Sequence, residues 1–291
     1  MNILDTCCDP FGELFNGWSD DNDDNMLDKD SKVIVSVKPV FLIVDISGGM
    51  WGRKIEEVKA FVESIKERLD GFNRDLSNDR KFLISILCIG DSPYWQAWME
   101  EPSRVASTFI IQSMFNMGGA FSELEHRLSD QHLMGMEFNI KEDLYVGYAE
   151  RPVFVLITNN EFSTDNVEDS INRLKSNEWF YKGDRVAIAL NKDSDTMCLE
   201  KFTGSRNTVL RTDDNLPWKE ILIEFILCAA DTTRTIFLPW MGGDCWQEAY
   251  WNYSVQNSKD ILVASLESLC MKNCLSEDEV IKIIGKATWE E

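Results

Sequence analysis

Histidine is nearly missing from this 291-residue chain, which carries only His126 and His132. Neither is expected at a loop end, and His126 falls within an expected amphipathic helix. No Ser-His-Asp or Cys-His set is apparent, so nucleophilic catalysis of that kind is not expected. Basic residues are also scarce: 29 Lys and Arg face 50 Asp and Glu, for a net charge of -21. Neutralising phosphates is the main source of nucleic-acid affinity, so such a balance speaks against nucleic-acid binding. It disfavours anionic membrane surfaces equally, and leaves basic partners or simple solubility open. No apolar run reaches the roughly 20 residues that a membrane helix needs. The opening MNILDTCCDPFGELFNG has no basic stretch leading into an apolar one, so no signal peptide is expected and a cytoplasmic location is. Eight cysteines are present, of which Cys88 and Cys228 lie in apolar segments and read as buried small hydrophobes. Cys270 and Cys274 form a C-x3-C pair with Cys245 upstream, but a zinc site needs four ligands, usually in tighter pairs or with histidine. Reduced thiols are the expectation.

What is present divides the chain into three parts. Residues 1–36 form an acidic N-terminal segment, with an apolar piece around Phe11, Leu14, Phe15 and Trp18. Six aspartates follow between Ser19 and Asp30 without EF-hand spacing, and they read as a solvated linker. Residues 37–235 alternate strands and helices. Val40–Val44 is a continuous β-branched and apolar run, as in a strand covered on both faces. Ile55, Val58, Val62, Ile65 and Leu69 then step by three and four, which predicts a helix. Further strands are expected at Phe82–Ile89, Tyr94–Met99 (shorter, an edge), Val153–Ile157, Val186–Leu190 and Thr208–Leu210. Helices are expected around Phe121–Leu128, Val167–Leu174 and Leu216–Ala230. This rhythm implies right-handed crossovers and an α/β fold: a doubly wound, mostly parallel, Rossmann-like sheet with helices on both faces. Residues 236–291 read as a Trp-rich irregular stretch, PWMGGDCWQEAYWNY, and a short C-terminal helical extension at Asp260–Met271 and Ser276–Ala287. The Trp240–Tyr253 aromatics either pack internally or form an interface.

In open α/β sheets ligands bind beyond the carboxyl ends of the strands. The first strand ends there in Asp45-Ile46-Ser47-Gly48-Gly49-Met50. An aspartate and a serine two residues apart could share a divalent cation. A phosphotransfer site of the haloacid-dehalogenase kind would need a second aspartate where Ser47 stands. Gly48-Gly49 has neither the G-x-G-x-x-G spacing nor the lysine of a phosphate loop.

FLIVDISGGMWGRKIEEVKAFVESI resembles the opening of a von Willebrand factor A domain, whose D-x-S-x-S motif forms a metal-ion-dependent adhesion site. NMGGAFSELEHRL resembles that family's second loop and helix. RPVFVLITNNEFSTDNVEDSINRLK resembles the strand ending in T-D-G with the helix after it, and VAIALNKDSDTMCLEKFTGSRNTVL the late strand, helix and F-T-G segment. The resemblance covers about residues 38–232 and leans toward the small bacterial proteins associated with tellurium resistance. It implies a site for Mg2+ or Mn2+ built from hard oxygens. By that resemblance Asp45 and Ser47 remain, while Gly49 replaces the second serine, Ala120 the threonine and Asn159 the third-loop aspartate. A shift of register in the second loop would bring Ser122 to the threonine position. The site therefore reads as degraded and metal-free, and no cofactor is expected. The alternative is a variant Mg2+ site in which Glu161 or Asp91 restores charge, and a third reading has Asp45 simply binding backbone amides of the neighbouring loops.

The resemblance implies a non-enzymatic protein-interaction module. Its partner would be a protein, a kinase, phosphatase or stress-response protein by the same resemblance. Trp51, Tyr94, Trp95, Trp98 and Glu161 are the candidate contacts, aromatic anchors being enriched at interfaces. A hydrolase is the weaker alternative.

Overall fold

The computed structural model describes residues 33–75, 80–129, 144–159, 167–191, 196–212, 216–232, 236–239, 246–250, 258–272 and 274–288. The acidic N-terminal segment through residue 32, the second histidine and Glu161 lie outside the described residues.

β1 (Val33–Asp45) is the central strand. On one side it pairs in parallel with β2 (Arg80–Ile89), which pairs antiparallel with the edge strand β3 (Tyr94–Glu100). On the other side it pairs in parallel with β5 (Val153–Thr158), followed by β6 (Asp184–Ala189) and β7 (Val209–Arg211), all parallel. β4 (Leu144–Glu150), β8 (Ile236–Pro239) and β9 (Trp246–Tyr250) continue the sheet as an antiparallel branch beside β1. Pairing on both sides buries the central strands, which is why β2 and β5 run apolar almost without interruption.

Alternate residues of β1 serve opposite faces, as the two-residue period of a strand requires. Val40, Leu42 and Val44 meet α1 (Arg53–Arg74), α6 (Trp218–Thr232) and α7 (Ser258–Met271). Phe41 and Ile43 meet α2 (Met117–Ser129), α3 (Val167–Ser176), α4 (Glu178–Lys182) and α5 (Met197–Thr203). The fold is thus a doubly wound, mostly parallel α/β sheet with helices on both faces. The α1 stripe foreseen from spacing, Ile55 to Leu69, is buried throughout. α8 (Glu277–Thr288) closes the described chain. Ser276 and Glu279 exchange side chain-to-backbone hydrogen bonds at its start, a capping box.

Several features depart from the sequence reading. β1 begins well before Val40, running through Lys38 and Pro39. β4 was not foreseen, and Trp246–Tyr250 forms a strand inside the stretch whose composition reads as irregular. Cys228 is half-buried rather than fully enclosed, while Cys88 is buried as expected.

One close approach constrains the lower half of the sheet. A Cβ added at Gly183 would lie 2.7 Å from Cδ2 of Phe154 and 3.1 Å from the Trp179 carbonyl oxygen. Phe154 cannot yield easily, since it is fully buried between Phe41 (centroids 4.9 Å apart) and Phe180 (5.0 Å). Gly183→Ala is expected to destabilise by about 2 kcal/mol, read as a fall in the urea midpoint with an unchanged slope.

Candidate functional site

Strand order reverses between β1 and β5, so the crevice at their carboxyl ends is where such a sheet places its ligand site. Asp45 ends β1 there and is fully buried. Its Oδ1 accepts the Ser47 N–H at 2.8 Å. Its Oδ2 accepts the Thr158 hydroxyl at 2.9 Å and the Asn159 N–H at 3.0 Å. Burial pushes the carboxyl above its ordinary range, and these hydrogen bonds oppose the shift without cancelling it. The Ser47 hydroxyl lies beside this carboxylate and is itself buried, yet makes no well-directed hydrogen bond.

Beyond Ser47 the chain makes one 3-10 turn, Gly48–Met50, which buries Met50 and leaves Trp51 78% exposed. Gly52 follows with φ +85° and ψ -130°, a conformation that side chains rarely adopt, and α1 starts immediately after it. Lys54, in the first turn of α1, donates to Oδ1 of Asn159 and lies 3.5 Å from the Gly49 carbonyl oxygen. A cation at that end of a helix opposes the helix dipole, so its place is set by these contacts rather than by local preference.

The second loop is knit to the first. The Gln112 N–H donates to the Ile46 carbonyl at 2.8 Å, and Gly48 packs on the Ser113 backbone. Asp91 accepts the Ser113 hydroxyl at 3.1 Å and the Met114 N–H. Asp91 is therefore engaged in holding this loop. Ile110 and Met114 on it are 75% and 65% exposed. Asn116 receives the Gly119 N–H at 2.8 Å at the start of α2. Ala120 presents only a buried methyl, and the Ser122 hydroxyl is taken by the Gly118 carbonyl (2.9 Å) and by Ser170 of α3 (3.0 Å).

The predicted site residues thus separate into groups. Asp45, Ser47, Gly49 and Asn159 come together, with Ala120 on the adjoining helix. Trp51 stands exposed beside them. Tyr94, Trp95 and Trp98 sit half-buried on edge strand β3. Tyr94 packs on the α1 side of the core, while Trp95 and Trp98 meet each other edge to face and both lie against Phe41. The Trp95 indole N–H donates to Glu123 at 2.8 Å, and Arg127 lies 5.3 Å over the Trp98 ring. Lys54, Thr158, Ile110 and Met114 are members of this region that sequence reasoning did not name. The one signal for Lys54 was a basic pair, Arg53-Lys54, at a helix start, where acidic residues are favoured.

Among the described residues, the side-chain oxygens at hand for a cation are those of Asp45, Ser47, Thr158 and Asn159. Among the described residues no group of three or more His, Cys, Asp or Glu could hold a metal ion. None of their helices is long and apolar enough to cross a membrane.

No family model matches the chain, and no curated protein matches it. Solved structures with a similar course of chain include proximal thread matrix protein 1 from the mussel byssus, at 12% identity and a TM-score of 0.45, covering 68% of this chain and 49% of that one. A von Willebrand factor type A protein from Catenulispora acidiphila is 10% identical, TM-score 0.43, covering 67% and 43% respectively. The SpRpn10 VWA domain is 12% identical, TM-score 0.41, covering 64% of this chain and 94% of that one. The chain spans about half the length of the first of these proteins. The fold stands on its own strand order and register, not on these likenesses.

Proposed function

We propose that this chain is a non-enzymatic protein-interaction module of the von Willebrand factor A kind, working without a divalent ion and binding a protein partner through the rim around Asp45. One observation carries the reading. The polar capacity of the rim is turned inward, onto Ser47, Thr158 and Asn159, while its apolar groups Trp51 and Met114 are turned out. Large exposed aromatics at a site of loops are what interfaces use as anchors. The donor set does not fit a hydrated divalent ion: Gly49 and Ala120 bring no side-chain oxygen, and Asn159 brings no charge and is engaged by Lys54. The finer assignment, to a bacterial stress-response or phosphorylation-linked system with a kinase or phosphatase as partner, rests on the sequence resemblance alone.

A second reading has one observation in its favour. The buried Ser47 hydroxyl lies beside the Asp45 carboxylate without a well-directed hydrogen bond, an arrangement that an ion between the two oxygens would satisfy, which supports a variant Mg2+ site. Calorimetric titration with Mg2+ and Mn2+ separates the two, because one saturable site of micromolar affinity would establish the variant site.

Trp51→Ala tests the rim. An exposed side chain is expected to leave stability within about 0.5 kcal/mol. Affinity for the partner, identified by co-purification from the native source and mass spectrometry, is expected to fall about 30-fold. Retention of the partner should be insensitive to EDTA. Full affinity in Trp51→Ala, or loss of the partner in EDTA, would count against this reading.

A further inference from the structure

The two loops that meet at the site are bridged twice. Buried Asp45 joins Ser47 to Thr158 and Asn159 through its carboxylate. Lys54 joins the same two loops through a cation, donating to Oδ1 of Asn159 and approaching the Gly49 carbonyl oxygen. Lys54 is only half-buried, so burial does not force its ammonium onto these oxygens. It lies against them nonetheless, in a first helical turn where the dipole disfavours positive charge. A local rule broken in this way marks a position determined by the site.

We propose that Lys54 is the built-in cation of this site: its ammonium, carried on α1, gathers oxygens of Gly49 and Asn159 at the place where the resemblance would put a metal ion, and so closes the loop bundle without one. This deepens, and rests on, the metal-free reading above. An ammonium is a compact point charge with three donors, suited to gathering carbonyl oxygens. It differs from a bound ion in that it cannot dissociate, so the rim keeps one geometry whatever the divalent-ion supply.

The test uses the full chain and Mn2+ alone, followed by calorimetry and by the melting temperature. Wild type, Asn159→Asp, and Asn159→Asp combined with Lys54→Ala are titrated in parallel. Asn159→Asp restores a carboxylate, and removing Lys54 then opens the place beside it. The double variant is expected to bind Mn2+ saturably and to melt higher in its presence. Asn159→Asp alone is expected to bind at least about a hundredfold more weakly, since the tethered charge repels the ion at short range. Lys54→Gln replaces Lys54→Ala if the alanine variant does not fold, because it keeps a donor for Asn159 but not the charge. Equal affinity with and without Lys54 overturns the proposal, and so does a complete lack of binding once Lys54 is gone. Saturable binding by the wild type would remove the metal-free reading instead, and the ratio between the two variants would still decide the role of Lys54.

Discussion

Asp45→Ala is expected to lower the stability of the folded chain by about 3–5 kcal/mol. Three donors converge on this carboxylate: the Ser47 and Asn159 N–H groups and the Thr158 hydroxyl. Asp45, Thr158 and Asn159 are all within 1% of full burial, so water cannot substitute freely. A buried donor left without its acceptor forfeits about 1–3 kcal/mol. Relief of the carboxylate's own desolvation returns part of that, which is why the estimate falls below the plain sum. Asp45→Asn should cost less, about 1–2 kcal/mol, because its one carbonyl oxygen can still serve Thr158 and Asn159 while its NH2 faces the Ser47 N–H. The pH dependence has a defined sign. Burial raises the folded pKa of Asp45 above its unfolded value. The stability it contributes is therefore fully present below the unfolded carboxyl pKa and is lost as pH rises through the higher folded value. The gap in urea midpoint between wild type and Asp45→Asn should be wider at pH 4 than at pH 8. A gap that widened toward pH 8 would show that the hydrogen bonds outweigh burial and hold the carboxyl low.

The parts of this architecture that were legible in the sequence are those that packing writes as a period. The α1 stripe, the continuous apolar runs of β2 and β5, and the alternation of the parallel strands with their main helices follow from burial on one helix face or two sheet faces, whereas β4 and the one-turn α4 left no such period. The first seven residues of β1 were missed because Lys38 and Pro39 interrupt the run, and lysine is almost never fully buried unless paired. β8 and β9 are four and five residues long and one ends in proline, too short for a two-residue alternation to show. At the site, Asp45 and Ser47 could be named because their motif is local, and Gly49 and Asn159 because the family resemblance places them at ligand positions. Lys54 could not, since what gives it a role is contact with a residue 105 positions away. The aromatics show the converse limit. Tyr94, Trp95, Trp98 and Trp51 have the same character in the sequence. Only the fold separates the three on β3 that cover the core edge from the one that faces water.

At the opposite end of the sheet, Glu150→Ala is expected to cost about 3–5 kcal/mol, the usual effect of removing one partner from a buried ion pair. Glu150 is 2% exposed and its Oε1 accepts both the Arg80 Nε–H at 2.7 Å and the Ser36 hydroxyl at 2.8 Å. Fully buried Lys38 is close enough to feel its charge, together with those of Asp184, Arg151 and Arg80. Desolvation lowers the pKa of Lys38 from 10.5 to about 8, against the raising influence of Asp184 and then Glu150. Between those two values the unfolded chain holds a proton that the folded chain has released, so this group makes stability rise with pH there. The charge it carries at pH 7 accordingly costs the fold on the order of 3 kcal/mol. Lys38→Met removes this charge together with the Nζ hydrogen bond to the Ala229 carbonyl (3.0 Å), so its stability relative to wild type should fall as wild type is titrated from about pH 8 to 10.5. Glu150→Ala removes an attraction that favours the protonated lysine, so in that variant the rise should begin at a lower pH. Urea midpoints of the three proteins across pH 7–10.5 read both effects. If Lys38→Met and wild type kept a constant difference over that range, the lysine would hold its proton throughout and the surrounding carboxylates would outweigh its burial.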